Sequence, residues 1–479
     1  MNVKQLCHRV PALLAALLVI SASGVADDRM ELANMVPFRN ANGFAATYST
    51  AGSIDMKNPF FQSLGTNGRA CVSCHQPNEG WTVTPAGIRD RFKDTRGTDP
   101  IFRTNDGSNS PLADVSTVES RRAAYSMLLS KGLIRVGIGI PANAEFELVA
   151  VDDPYGYASA QELSLFRRPL PASNLKFLST VMWDGRETFK DPASQDCILG
   201  TSNCFASIHF DLADQSNAAT TGHAQGQPLS DAQREAIVAF ESGLFTAQIE
   251  DDDAGLLTAH GALGGPISVS QQSFYFGIND VIANDYRTGA LFTSEVFKLY
   301  RSWTPDMRPG RDEGDFRNRY DARLAVARGE ELFNSKTIRI TDVKGLNDDF
   351  SIPVLNGTCT TCHDTPSAGN HSVPAPLDIG LTDATRRTPD LPLYTLRHTQ
   401  APFETIQTSD PGRALITGKW KDIGRFKGPI LRALATRAPY FHNGSAAELD
   451  DVVTFYNTRF GIGFTDQERA DLVAFLRTL

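Results

Sequence analysis

The chain has 479 residues, with 46 Lys and Arg against 55 Asp and Glu, which gives a formal net charge of −9. That acidic balance argues against nucleic acid and against an anionic membrane surface as partners. The content of 41% hydrophobic and 21% charged residues is ordinary for a soluble globular protein, and the length suits two or three domains.

The first 26 residues have the pattern of a secretory signal peptide. Lys4 and Arg9 form a positive start, residues 10–20 are apolar, and residues 24–26 resemble a small-residue cleavage site. An uncleaved anchor is the alternative, although the apolar stretch is short for a stable membrane span. The pattern predicts a secreted protein of the bacterial periplasm with a net charge of about −11 after cleavage.

Two copies of Cys-x-x-Cys-His are the strongest chemical signal in the chain. In this motif two cysteines form thioethers with the vinyl groups of haem, and the histidine becomes the proximal iron ligand. A zinc site or a disulfide is the alternative, but neither copy has a second Cys-x-x-Cys within finger distance. The motifs therefore predict two covalently bound haem c groups, attached through Cys71, Cys74 and His75 and through Cys359, Cys362 and His363.

Residues 84–165 carry no haem signal and form a long insert, in which residues 133–140 suggest a small hairpin. The sequence gives this insert no function. Beyond it, Cys197 and Cys204 lie in a stretch rich in Ser, Asn and Gly, where an oxidising compartment favours a disulfide between them over two free thiols.

A repeat divides the chain into two units. Residues 230–240 recur at 465–475, and both copies open with a capping box, Ser230 with Gln233 and Thr465 with Glu468, which predicts a helix start. Because each copy follows a haem motif, we predict a duplicated cytochrome c unit. The expected fold is mainly α, with two cytochrome c-type domains, one haem in each, and inserts that enlarge the N-terminal domain.

The charged run with Pro and Gly at residues 304–319 marks the predicted boundary between the units. The resulting division is a signal at 1–26, an N-terminal haem domain at 27–310 and a C-terminal haem domain at 311–479. Residues 328–333 are predicted to belong to the first helix of the second unit, and residues 292–303 to a helix joining the units.

Three further segments resemble the bacterial dihaem cytochrome c peroxidases and their relative MauG, the methylamine-utilisation enzyme. They are the Trp-Asp-Gly-Arg sequence at 183–186, the Lys-Gly-Pro-Ile-Leu-Arg sequence at 427–432, and the Ala-Pro-Tyr-Phe-His sequence that begins at 438. With the haem motifs and the repeated helices, the resemblance touches about two-thirds of the chain. It implies that peroxide reacts at the N-terminal haem, that the C-terminal haem passes electrons on, and that Trp183 couples the two.

The departures from that family concern the axial positions of both haems. No histidine lies between His75 and His209, so the loop histidine that blocks the N-terminal iron in many members is missing. At the C-terminal haem, the resemblance places the sixth ligand at Tyr456, as in MauG. Methionine is excluded because none follows Met307. The alternatives for this ligand are His371, His398 and His442.

The distal group of the N-terminal haem is the weakest match. The family's glutamine corresponds to Gln215, but the glutamate that handles peroxide protons is absent, and His223 lies closest to its place. An imidazole there would act as acid and base, since its pKa lies near working pH. It could instead bind the iron or simply face solvent. His209 is a weaker candidate for the acid–base role.

The resemblance also implies partners and a further ion. It implies hydrogen peroxide as substrate and a small periplasmic electron donor, a cytochrome or a cupredoxin, and it leaves a homodimer open. Calcium would bind the carbonyls of Arg437 and Pro439 and the amide of Asn174. The sequence therefore predicts a cytochrome c peroxidase-like oxidoreductase. A dihaem electron carrier and a MauG-like enzyme that oxidises a partner protein are the alternatives.

Overall fold

A computed structural model describes residues 31–188, 208–308 and 316–479, together with the backbone of 195–197 and 204–206. The predicted signal peptide lies outside the described residues. The helices are α1 Pro85–Thr95, α2 Val118–Ala124, α3 Ser126–Lys131, α4 Ile208–Gly222, α5 Asp231–Ser242, α6 Pro266–Ser270, α7 Phe316–Ser335, α8 Ala414–Thr417, α9 Leu449–Phe460 and α10 Asp466–Arg477. None of them is long and apolar enough to cross a membrane.

The strands are short and are distributed over both halves of the chain. They are β1 Glu31–Ala33, β2 Phe38–Asn40, β3 Gly43–Ser49, β4 Ser53–Asp55, β5 Ile134–Ile138, β6 Phe146–Asp152, β7 Leu163–Arg167, β8 Gln195–Cys197, β9 Cys204–Ala206, β10 Leu244–Asp251, β11 Gly255–Leu256, β12 Ile338–Ile340, β13 Leu355–Gly357, β14 Leu393–His398 and β15 Thr405–Thr408.

The expectation of a mainly α fold is wrong, because the structure is 31% helical and 18% strand. The strands come largely from segments that carry no haem motif. An antiparallel sheet of order β11-β10-β3-β2 packs beside the first haem motif, and a second of order β15-β14-β6 joins the insert to the C-terminal half.

The predicted joining helix at 292–303 is also wrong, since this segment has no regular structure. Glu330 of α7 accepts hydrogen bonds from the amides of Leu299, at 2.5 Å, and Tyr300, at 3.0 Å. Asn334 accepts another from the amide of Phe297 at 3.2 Å. Side chains of α7 thus satisfy the amides that a helix would have paired internally, while the aromatic residues of the segment enter the core.

The repeated helices are confirmed as α5 and α10, and both have the predicted capping boxes. Helix α10 packs on α7, where a Cβ at position 329 would lie 2.0 Å from the carbonyl oxygen of Asp471. Glycine at 329 therefore permits the close crossing of the two helices. Arg328 anchors the same crossing through two hydrogen bonds of 2.7 Å to the Asp471 carboxylate.

The insert consists of α1 to α3 and β5 to β7, and its strands do not form the predicted hairpin. Strand β5 pairs with β7, whereas β6, which lies between them in sequence, pairs with β14 of the C-terminal half. Apolar residues of both halves form the core under this sheet, among them Phe146, Leu165 and Tyr394. The insert thus connects the two halves of the chain through strand pairing and a shared core.

Strands β8 and β9 place the backbone of Cys197 opposite that of Cys204. The predicted disulfide itself lies outside the described side chains.

Candidate functional site: two cavities beside the Cys-x-x-Cys-His motifs

The two Cys-x-x-Cys-His motifs adopt the same local structure. Residues Cys71–Ser73 and Cys359–Thr361 form single 3-10 turns. The following histidine amide donates to the carbonyl of the first cysteine, at 3.1 Å for His75 and 3.2 Å for His363. This tight turn brings both cysteines and the histidine of each motif to the wall of one cavity.

Backbone carbonyls orient the two histidines. The Nδ1 of His75 lies 3.0 Å from the carbonyl oxygen of Trp81, and the Nδ1 of His363 lies 2.5 Å from that of Gly369. A hydrogen bond at Nδ1 leaves Nε2 as the ligating nitrogen, which is the usual arrangement of a metal-binding histidine. Burial also lowers the pKa of His75 to about 4, which favours the neutral imidazole that binds iron.

Buried basic groups on the cavity walls fit the propionates of haem. No nitrogen of the Arg432 guanidinium has a hydrogen-bond partner among the described residues, and the Nε of Arg437 has none either. Arg432 lines the first cavity, and Arg437 and Lys427 line both. Burial lowers the pKa of both arginines to about 10 and that of Lys427 to about 7. Buried cations require an anion nearby, so each cavity offers the residues needed to hold one haem c.

Trp183 lies between the cavities and contributes to the wall of each. Its indole Nε1 donates to the carbonyl of Arg168 at 2.8 Å. The next residue, Asp184, is fully buried and pairs with Arg167 at 2.5 Å and with Arg186 at 3.0 Å. The ion pairs of Asp184 and the hydrogen bond of the indole thus anchor the Trp-Asp-Gly-Arg sequence between the two cavities.

Helix α4 forms one side of the first cavity, and a histidine at its end contacts a carboxylate. One face of α4 and the residue after it line the cavity through Leu212, Gln215, Ser216, Ala219, Thr220 and His223. The Nδ1 of His223 lies 2.5 Å from Oδ2 of Asp106, which also forms an ion pair with Arg69. Burial alone would raise the pKa of Asp106, but the hydrogen bond and charge of His223 and the charge of Arg69 bring it below its ordinary value.

Sequence reasoning missed two acidic residues of the first cavity. Asp106 belongs to the insert and contacts His223, which lies 117 positions later in the sequence. A contact over that separation leaves no local sequence pattern. Glu241 of α5 also lines the cavity, its Oε2 has no partner among the described residues, and burial raises its pKa to about 8. The weaker candidate His209 is half-exposed and pairs with Glu235 at 2.9 Å.

The second cavity contains Tyr456 and two of the three alternative histidines. Tyr456, His371 and His442 line it, whereas His398 packs against Trp420. Tyr456 shares the cavity wall with Cys359 and Cys362, and burial raises the pKa of its phenol above its ordinary value. His442 stacks on Phe426 with ring centroids 4.0 Å apart.

The residues considered for calcium are engaged in other contacts. The side chain of Asn174 donates to the carbonyl of Thr246 at 2.9 Å and accepts from the amide of the same residue at 3.2 Å. The carbonyl of Arg437 accepts from Arg168 at 3.1 Å. Calcium at this position stays a prediction.

The sequence matches no family model. It is 34% identical over 143 residues to cytochrome-c peroxidase IdrP1 of Denitromonas iodatirespirans, which covers 25% of this chain and 36% of that protein. It is 33% identical over 202 residues to cytochrome-c peroxidase IdrP2 of Pseudomonas sp. strain SCT, which covers 39% of this chain and 53% of that protein. A MauG-like protein associated with microbial copper homeostasis aligns over 88% of this chain and 86% of its own, with 16% identity and a TM-score of 0.33.

The chain thus spans from about a third to about half of the length of these curated relatives. Their names confirm the resemblance to cytochrome c peroxidases. These names agree with the predicted peroxidase-like oxidoreductase class and with haem c as its cofactor.

Proposed function

We propose that this chain belongs to the dihaem cytochrome c peroxidase and MauG superfamily and is a periplasmic dihaem oxidoreductase that reduces hydrogen peroxide. The reaction takes two electrons and two protons to convert one hydrogen peroxide into two waters. Electrons from a small periplasmic cytochrome or cupredoxin would enter on the His363 side and pass Trp183. The observation that carries this proposal is a histidine–carboxylate pair on the wall of the first cavity, His223 with Asp106.

The haem held by His75 would supply the iron at which the O–O bond is broken. The residues of the chain move the protons. Asp106 holds Nδ1 of His223, which leaves Nε2 to take a proton from one peroxide oxygen and return it to the other. Arg69 fixes Asp106 from the opposite side and keeps that carboxylate ionised.

A second candidate function rests on the same contact. In many metal sites the ligating histidine also has its other ring nitrogen hydrogen-bonded to a carboxylate, as His223 does through Nδ1. If Nε2 of His223 binds the first iron, the protein is a dihaem electron carrier without peroxidase activity. The two functions differ in whether that iron is open.

Low-temperature EPR of the ferric, haem-loaded protein before and after addition of hydrogen peroxide tests the proposal. A high-spin ferric signal that peroxide consumes is expected for the peroxidase. Two low-spin signals that do not change when peroxide is added, even after half-reduction, would show that the protein is an electron carrier without peroxidase activity. In that case His223→Gly should create a high-spin iron and a gain of peroxide reactivity.

The proposal includes Tyr456 as the sixth ligand of the second haem. Its place on the wall of the second cavity near Cys359 and Cys362 supports this role. Tyr456→Phe should change the absorption and EPR spectra of one haem only, because phenylalanine offers no ligating oxygen. Unaltered spectra would instead point to His442 or His371.

A further inference from the structure

Three buried side chains converge beside the second haem motif, and the proposed function uses none of them when Tyr456 is the sixth ligand of the second haem. They are Asp280, Asp364 and His371, with exposed fractions of 3%, 0% and 7%. Each offers one ligand atom, and these atoms all lie within 4.8 Å of one another. Asp280 belongs to the predicted N-terminal half, and the other two belong to the C-terminal half.

The cluster contains two buried carboxyl groups and one imidazole. Two buried carboxylates are costly unless cations or strong hydrogen bonds compensate them. Among the described residues, neither Asp280 nor Asp364 has a salt bridge to a lysine or arginine, and the recorded ion-pair partner of Asp364 is His371. With both carboxylates ionised, as metal ligands require, even a protonated His371 would leave one negative charge unbalanced, which a divalent cation would compensate.

Hydrogen bonds fix both carboxylates in place. Asp364 accepts from the amide of Ser372 at 2.6 Å and from its hydroxyl at 3.1 Å. One oxygen of Asp280 accepts from the amides of Ile282 and Ala283, at 3.0 and 2.5 Å. Such outer contacts are typical of carboxylates that ligate a metal.

The imidazole of His371 is directed at this pair without a hydrogen bond of its own. Its Nδ1 is buried and has no hydrogen-bond partner among the described residues, yet it lies 3.3 Å from Oδ2 of Asp364. Two ligands on a tetrahedral ion with bonds of about 2.1 Å stand about 3.4 Å apart. The observed separation therefore matches two ligands of one metal better than it matches a formed hydrogen bond.

We propose that Asp280, Asp364 and His371 bind a divalent transition-metal ion. Zn²⁺ is the ion with which the site is tested. One imidazole nitrogen with two carboxylate oxygens suits zinc and its neighbours, whereas calcium prefers a larger set of oxygen ligands. The ion would join the loop after α6 to the residue that follows His363. It would thus connect the two halves of the chain directly beside the second haem.

The test measures metal content in the full haem-loaded protein. The protein is treated with EDTA, reloaded with Zn²⁺, desalted and analysed for zinc and iron by mass spectrometry. Wild type should retain one zinc per chain beyond the haem iron. Asp280→Asn and His371→Gln should each weaken zinc binding by at least about tenfold, since each removes a direct ligand.

His209→Gln is the matched control, because it removes an imidazole from the exposed pair with Glu235 and should leave zinc binding unchanged. Wild-type protein that retains no zinc, or that binds it no more tightly than both cluster variants, would overturn the proposal and leave a metal-free ion pair. The iron content of each sample reports whether a variant has lost its haem. If both variants fail to fold, thermal unfolding of wild type decides: a Tm that Zn²⁺ raises and EDTA lowers supports the site, and an unchanged Tm overturns it.

Discussion

At the scale of single residues, the first cavity combines a predicted histidine with two carboxyl groups that the sequence did not reveal. His223 lines the cavity, and its role in place of the missing family glutamate stays a prediction. Its contact with Asp106 converts an otherwise half-exposed imidazole into an oriented one. The histidine–carboxylate pair of this cavity is therefore formed by the residue after a helix and by a residue of the distant insert.

Asp106→Asn should reduce the rate of peroxide consumption by about 10- to 100-fold, because a neutral amide holds Nδ1 of His223 more weakly than a carboxylate does. The measurement is stopped-flow decay of the high-spin haem signal over a range of pH. Glu235→Gln makes the same exchange at the exposed His209 pair and should leave the rate unchanged. Asp106→Glu should restore part of the activity, and equal rates in all three variants would exclude an orienting role.

Glu241 should make stability depend on pH in the neutral range. Burial raises its pKa from 4.5 to about 8, so between these values the folded protein keeps a proton that the unfolded chain has released. The free energy of unfolding should therefore fall as pH rises from about 4.5 to 8, by up to about 1.4 kcal/mol per pH unit.

Glu241→Gln should remove that contribution, whereas the exposed Glu235→Gln should retain it. Denaturant unfolding of the haem-loaded proteins between pH 5 and 8 measures the difference. Parallel pH profiles of wild type and Glu241→Gln would contradict the assignment.

At the scale of elements, helices with local signals were predictable and the strands were not. The capping boxes of α5 and α10 depend on residues three positions apart, so their sequence pattern is sufficient. The strands of the insert depend on partners far away, since β6 pairs with β14 about 250 positions later. The same separation explains why the mainly α expectation was wrong.

Thr465→Ala should lower the free energy of unfolding by about 1 kcal/mol, because the hydroxyl of Thr465 accepts from the amide of Glu468 at the start of α10. Chemical denaturation measures the change. Thr465→Ser keeps the hydroxyl and should remain close to wild type. A loss as large in the serine variant would show that the methyl group of Thr465, not the cap, stabilises the helix.

At the scale of the whole molecule, the two halves are joined by contacts that also define the space between the cavities. The insert pairs with β14, Arg167 pairs with Asp410 at 2.7 Å, and Trp183 stands in the wall common to both cavities. The partition between the haem positions is therefore built by both halves of the chain. The predicted domain boundary separates the haem motifs in sequence but does not separate their surroundings in space.

Trp183→Phe should slow electron transfer between the haems while leaving peroxide binding intact, since phenylalanine keeps an aromatic ring but loses the larger indole and its hydrogen bond to Arg168. Rapid-mixing spectroscopy of the half-reduced protein resolves the two steps. Trp420→Phe, a tryptophan beside His398 and outside both cavity walls, is the control. Equal transfer rates in both variants would remove Trp183 from the pathway.

The sequence by itself determined the haem attachment motifs, the two capped helices and the family resemblance. These features depend on residues within a few positions of one another, or on short signatures whose chemistry is local. Only the tertiary structure decided which side chains meet inside the cavities. The Asp106–His223 contact, the β6–β14 pairing and the cluster of Asp280 with Asp364 and His371 all join residues that are distant in sequence. Their meeting follows from how the whole chain buries its apolar residues, and no local pattern encodes that.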